Sequence, residues 1–192
     1  ALVRRLSELQ ANYRQEESRL TSGEKDGWVI RDLSVHLEYL KASIEATEAE
    51  IQNFTKGTPG LKAQQELLVS IPGVGNKSSA RLLGEIGDIS RFENAPQLAA
   101  YAGLNPKGSS SGSSVHKKAH ISKQGRSELR ACLYMPAIVA MKHNPVIRAL
   151  KERLQKRQLP IMAIIAACMR KLLHIVYGVL KSQKPFDPEY DR

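Results

Sequence analysis

Between Ile30 and Phe54 the apolar or small residues Ile30, Leu33, Leu37, Leu40, Ile44, Thr47, Ile51 and Phe54 follow one another at spacings that alternate between three and four. A β-strand cannot use that rhythm, because its side chains repeat every two residues, whereas a helix with one narrow apolar seam can. The average spacing is that of a coiled coil. An earlier helical stretch carries Leu2, Leu6, Leu9, Tyr13 and Leu20, and the polar run Thr21 to Gly27 breaks it. Two such helices joined by a short loop read as an antiparallel hairpin. Helices lying flat on a globular domain would show a broader apolar stripe. Residues 1–58 are therefore expected to form a projecting coiled-coil hairpin used for assembly. Trp28, near the hairpin tip, reads as a packing or oligomer contact.

Thr55-Lys56-Gly57-Thr58-Pro59-Gly60 has the composition of a linker. Helical periodicity then resumes over roughly 63–70, 76–86, 94–102, 124–142, 145–156 and 159–181. Asn94-Ala95-Pro96 starts the third of these with a capping residue and a proline in the first turn. Convincing strand patterns are absent, so the expected class is all-α, with a second domain over 59–192. Cys132 and Cys168 lie in apolar helical contexts and read as buried free thiols, with no disulfide framework and no metal site. The longest apolar run, Leu159 to Ala167, is too short to cross a bilayer, and no signal peptide opens the chain. A cytoplasmic protein without membrane contact is expected. The chain starts inside a helical pattern and without Met, which reads as a piece of a longer protein.

Charge divides the chain. The whole carries +10. Residues 1–56 hold 8 Lys/Arg against 10 Asp/Glu, a net of −2, while residues 57–192 hold 21 against 9, a net of +12. A concentrated positive charge favours a polyanion, since Lys and Arg release counterions from a phosphate backbone. A nucleic acid is therefore expected on the second domain.

Within that domain, residues 67–87 read as a short apolar helix, a Pro72-Gly73-Val74-Gly75 turn and a second helix. This resembles the helix-hairpin-helix motif of DNA repair and recombination proteins. Gly73 and Gly75 would permit a tight turn without side-chain clash. Backbone N–H groups at the start of the second helix would then face an anion, with Lys77 adding a charge-assisted contact. Such contacts position a protein on a duplex without reading its sequence.

The long polar segment 103–123 includes five serines among residues 108–114. By composition alone a Gly/Ser run is a flexible connector. This one sits between ordered elements and is followed by Lys117, Lys118, Lys123, Arg126 and Arg130, with His120 as a further candidate cation. A serine nucleophile needs an exposed hydroxyl, a route for its proton and cations around the phosphate. The basic cluster would supply the cations. No base is identifiable, although His116 and His120 are candidates.

The ordered succession Ile71-Pro72-Gly73-Val74-Gly75, Phe92, Leu98-Ala99-Ala100-Tyr101-Ala102-Gly103-Leu104-Asn105-Pro106, Ser111-Gly112-Ser113, Ile121-Ser122-Lys123-Gln124-Gly125 and Leu129-Arg130 resembles the C-terminal transposase domain of the insertion-sequence 110/1111 family. Those enzymes are relatives of the Piv DNA invertases, and the resemblance covers roughly residues 60–185. It implies a two-part enzyme: an N-terminal RuvC-like domain with an Asp-Glu-Asp-Asp metal site for Mg²⁺, then a coiled coil, then a domain with a catalytic serine. It also implies oligomers on DNA, in some members directed by a structured guide RNA, and a covalent phosphoserine link to DNA. The serine before glycine is Ser111, while Ser109, Ser110 and Ser113 lie close enough to leave the register open. The nine carboxylates after residue 56 are scattered, so the Mg²⁺ site is expected outside this chain. The chain alone is expected to bind nucleic acid without recombining it. Two other readings compete: a non-catalytic DNA-docking module, and a coiled-coil adaptor with little DNA affinity.

Overall fold

The structure, a computed structural model, describes residues 1–23, 26–107, 110–111, 115–116 and 120–189, with residues 110, 111, 115, 116 and 120 described by their backbone alone. The chain forms two compact units, Ala1–Pro59 and Gly60–Arg192.

The first unit is a helical hairpin of α1 (Leu2–Thr21) and α2 (Gly27–Gly57). The Asp26 carboxylate accepts the backbone N–H groups of Trp28 and Val29 at 2.9 and 3.1 Å. It thereby satisfies donors that the first turn of a helix leaves without partners. Glu16, late in α1, meets His36, early in α2, at 3.4 Å, as an antiparallel pairing requires. Leu6, Leu9, Leu33, Leu40 and Ile51 are buried, and Ile30, Leu37, Ile44 and Thr47 are half-buried. The three-four rhythm fails only at its end: Phe54 is 58% exposed, and Thr55 is buried instead. An α-helix drifts roughly 20° per heptad from a strict seven-residue repeat, so after three heptads the inward position moves on by one residue. Trp28, Val35 and Tyr39 are exposed on α2 rather than packed within the hairpin.

The second unit is helical, with α3 (Pro59–Val69), α4 (Asn76–Ile86), α5 (Ala95–Tyr101), α6 (Ser127–His143), α7 (Pro145–Lys156) and α8 (Ile161–Ser182), plus a 3-10 turn at Ile89–Arg91. These follow the periodicity read from the sequence except at the start of α3, where the expected linker Thr55–Gly60 is helical apart from Thr58. α8 is central: α5, α6, α7 and the 3-10 turn all pack on it, and α4 packs on α6. Ile165, Cys168, Met169, Leu172, Leu173, Val176 and Leu180 bury one broad face of α8. At 22 residues this helix is long and apolar enough to cross a membrane by length and composition, which the shorter run Leu159 to Ala167 did not suggest. Half of its apolar window is buried inside this unit, as in the core helix of a globular domain. Asn144, itself fully buried, ends α6 and caps α7: its side-chain oxygen accepts the N–H groups of Val146 and Ile147 at 3.0 and 3.2 Å.

The polar segment after α5 departs from a plain loop. Its legs pair as β1 (Pro106–Lys107) with β4 (His120–Ile121) and β2 (Ser110–Ser111) with β3 (Val115–His116), both antiparallel. The registers are Pro106↔Ile121 and Lys107↔His120 in the outer ladder, Ser110↔His116 and Ser111↔Val115 in the inner one. Two-residue ladders lack the length and alternation that would mark strands in a sequence, and they leave the class all-α.

Candidate functional site

The α3–α4 turn is fixed by contacts on both sides. Buried Gln65 on α3 donates its side-chain amide to the Asn76 carbonyl at 2.9 Å, tying the two helices together where α4 starts. Gly73 has φ +106°, and a Cβ there would come within 2.7 Å of the Ala140 backbone nitrogen. The turn therefore seats directly on α6, and Gly73 is required both by backbone conformation and by space. Gly75 is different: its φ is −93°, and a Cβ would meet nothing within 4 Å. The expectation that both glycines relieve crowding holds for Gly73 alone. Gly75 is the N-cap of α4 and supplies no capping side chain, and Gly75, Asn76 and Lys77 are all exposed. An exposed helix N-terminus suits an anion, with the helix dipole adding to the attraction.

The serine segment forms an arm whose two feet are stitched together. Ser122 N–H donates to the Asn105 carbonyl at 2.8 Å, Lys123 N–H to Gly103 at 3.1 Å and Arg126 N–H to Tyr101 at 2.7 Å. Gly125, at φ +149°, lies so close to the Tyr101 carbonyl and the Gly103 nitrogen that no Cβ fits between them. Three arginines pin this base. Arg126 Nε donates to Glu85 Oε2 on α4 at 2.7 Å, and its Nη1 donates to the Tyr101 hydroxyl at 3.2 Å. Arg130 Nη1 donates to the Ala102 carbonyl at 2.9 Å, and Arg170 of α8 donates to Asn105 Oδ1. The Tyr101 and Glu85 hydrogen bonds push the Arg126 guanidinium further above its already high range. Glu128 is held below the usual carboxylate range, first by its own backbone N–H and the Ser127 hydroxyl, then by Arg126 and Arg130 nearby.

The residues singled out in the sequence fall into three places. Ser111 lies in the last pair of the inner ladder, opposite Val115, with residues 112–114 between them. Lys123, Arg126 and Arg130 gather at the base of the arm, with Lys123 exposed and the two arginines half-buried. Gly73, Gly75 and Lys77 form the hairpin turn at the far end of α4 from Glu85. Lys117, Lys118, Ser109 and Ser113 lie outside the described residues. Glu85, Tyr101, Asn105 and Arg170 were not singled out. Glu85 and Arg170 did carry a signal, each being a charged residue inside an apolar helical run, at Leu82-Leu83-Gly84-Glu85-Ile86 and Cys168-Met169-Arg170-Lys171-Leu172. Among the described residues no group of three or more His, Cys, Asp or Glu side chains could hold a metal ion.

Residues 65–152 match the transposase IS116/IS110/IS902 family. The chain is 39% identical over 153 residues to the pilin gene-inverting protein of Moraxella bovis, an alignment covering 79% of this chain and 48% of that protein. It is 29% identical to the 43.6 kDa protein of insertion element IS110 from Streptomyces coelicolor, over 80% of this chain and 36% of the other. It is 31% identical to the transposase for insertion sequence element IS1111A of Coxiella burnetii, over 61% of this chain and 33% of the other. The chain thus spans about half the length of the pilin gene-inverting protein and about a third of the other two.

Proposed function

We infer that this chain is the C-terminal part of a DNA transposase or site-specific recombinase, acting on DNA in the bacterial cytoplasm. The observation that carries this reading is the 153-residue similarity to a pilin gene-inverting protein, together with the match of residues 65–152 to a transposase family. In this reading the α3–α4 hairpin is a helix-hairpin-helix grip on a DNA phosphate, through the backbone at Gly73 and Gly75 and through Lys77. Ser111 is the nucleophile. Its Oγ forms a bond to the phosphorus of a phosphodiester, the phosphorus–oxygen bond to the departing deoxyribose breaks, and the serine proton ends on the departing hydroxyl. Lys117, Lys118, Lys123, Arg126 and Arg130 neutralise charge on the phosphate in flight. A RuvC-like domain outside this chain would hold Mg²⁺.

The hairpin of α1 and α2 is read as a coiled coil that joins copies of the protein on DNA. Exposed Trp28, Val35 and Tyr39, at helical spacings of seven and four along α2, support that use. A structured guide RNA is the further partner that the sequence resemblance implies. The test uses the full-length protein and a DNA carrying the element junction. A covalent protein–DNA adduct on a denaturing gel is expected, mapping to Ser111 and lost in Ser111→Ala while DNA binding persists. Cleavage by Ser111→Ala at the normal rate would sink the serine mechanism and leave this chain as a docking module.

A further inference from the structure

We propose that Glu85 is a positioning residue for the serine arm: through Arg126 it fixes the base of the arm to the helix whose other end forms the hairpin grip. The inference rests on the serine reading above and adds to it a residue and a mechanical role.

The Glu85 side chain is 2% exposed, yet its partner Arg126 keeps 36% of its side chain in solvent. Burying a carboxylate in this way is a poor means of gaining stability. Replacing a buried ion pair by well-packed apolar side chains is often neutral or better. What the pair supplies here is orientation. Arg126 uses Nε on Glu85 of α4 and Nη1 on the Tyr101 hydroxyl of α5, so one planar group is held by two elements at once. Its own backbone N–H closes the base of the arm on the Tyr101 carbonyl at 2.7 Å. The neighbouring contacts hold the outgoing foot in the same frame, with Arg130 on the Ala102 carbonyl and Arg170 on Asn105. The Tyr101 ring is seated in turn against Phe92, at 5.3 Å between centroids.

α4 is the link between the two functions. It runs unbroken from Asn76 to Ile86. At 1.5 Å per residue, the N-cap at Gly75 and the carboxylate-bearing residue Glu85 lie about 15 Å apart along one axis. A phosphate gripped at the α4 N-terminus is thereby kept at a set distance from the foot of the arm that carries Ser111. Loosening the Glu85–Arg126 contact would leave the grip intact and let the arm drift relative to it. Small misplacement of a reacting group costs rate rather than binding.

Full-length protein carrying Glu85→Gln or Tyr101→Phe would be compared with the wild type on junction DNA. Three quantities are read: the Kd for DNA, the rate of covalent adduct formation at saturating DNA, and amide hydrogen exchange at Ser122, Lys123 and Arg126. The expected result for Glu85→Gln is an adduct rate down by about tenfold or more with Kd within about twofold, a split that marks loss at the reacting step. Exchange at the three amides should speed up in parallel. Tyr101→Phe removes a single hydroxyl from an otherwise unchanged ring, and it should show a smaller shift of the same kind. Wild-type adduct rates in folded Tyr101→Phe and Glu85→Gln proteins, or unchanged exchange at the arm's feet, would overturn the inference. Absence of any adduct in the wild type would instead remove the serine reading, and the exchange measurement would still decide whether Glu85 holds the arm.

Discussion

At the scale of single residues, the two glycines of the hairpin turn separate folding from binding. Gly73 faces the Ala140 backbone at positive φ, whereas Gly75 faces open space at an ordinary φ. Gly73→Ala combines backbone strain with overpacking and should destabilise the second unit by roughly 2–4 kcal/mol. Gly75→Ala should leave the denaturation midpoint nearly unchanged and weaken DNA binding by crowding the approach of a phosphate. Parallel melts and DNA titrations of the two variants check this, and an equal loss of stability in both would contradict it. The buried thiols make a second prediction. Burial pushes Cys168 from 9.0 up to about 11 and raises Cys132 as well, with Arg81 beside Cys132 pulling the other way. Below pH 9 the Cys168 thiol is protonated folded or unfolded and contributes no pH dependence. Between pH 9 and 11 the unfolded chain loses the Cys168 proton while the folded chain keeps it. Stability should therefore fall over that interval, by at most about 1.4 kcal/mol per pH unit from Cys168. Cys168→Ala should flatten the slope in denaturant titrations at pH 8, 9 and 10.

At the scale of elements, what could be read from the sequence depended on how local the cause was. α4 could be placed to the residue, because glycine, a polar first turn and an apolar stripe all lie within 75–87. α7 could be placed equally well, since Asn144-Pro145 is a cap and a first-turn proline in one dipeptide. The seam of α2 was legible until drift moved the inward position from Phe54 to Thr55, a geometric effect that accumulates and has no local marker. The arm was illegible as β structure because each ladder is two residues long, and what holds it lies elsewhere in the chain. Arg126 reaches back 41 residues to Glu85, and Arg170 reaches back 65 to Asn105. Spacing arguments cannot see pairings at that range. A charged residue in an apolar stripe says that a partner exists without saying which.

At the scale of the whole chain, charge and DNA affinity should be linked quantitatively. Residues 57–192 carry +12 and residues 1–56 carry −2, so binding should come from the second unit and be strongly salt-dependent. If six to ten phosphates are neutralised, affinity for duplex DNA should drop by about 10³–10⁵ between 50 and 200 mM salt. Titrations of the isolated chain at several salt concentrations give the slope directly. A flat dependence would favour the adaptor reading over a nucleic-acid grip.

The central position of α8 also dictates when this fold can exist. α5, α6, α7 and the 3-10 turn all bury their apolar faces against it, and it is made after all of them. Domains fold as units during synthesis, once the residues that complete their core are available. While residues up to Pro160 are emerging, α4, α6 and α7 can meet one another but lack the helix that completes their core, and the base of the arm lacks Arg170. Assembly of the arm therefore waits for translation to pass Ser182. A chain cut short by a premature stop within α8 would lose the packed core and the pinned arm together. Truncated products of such a gene would not carry a weakened second unit; they would lack a folded one.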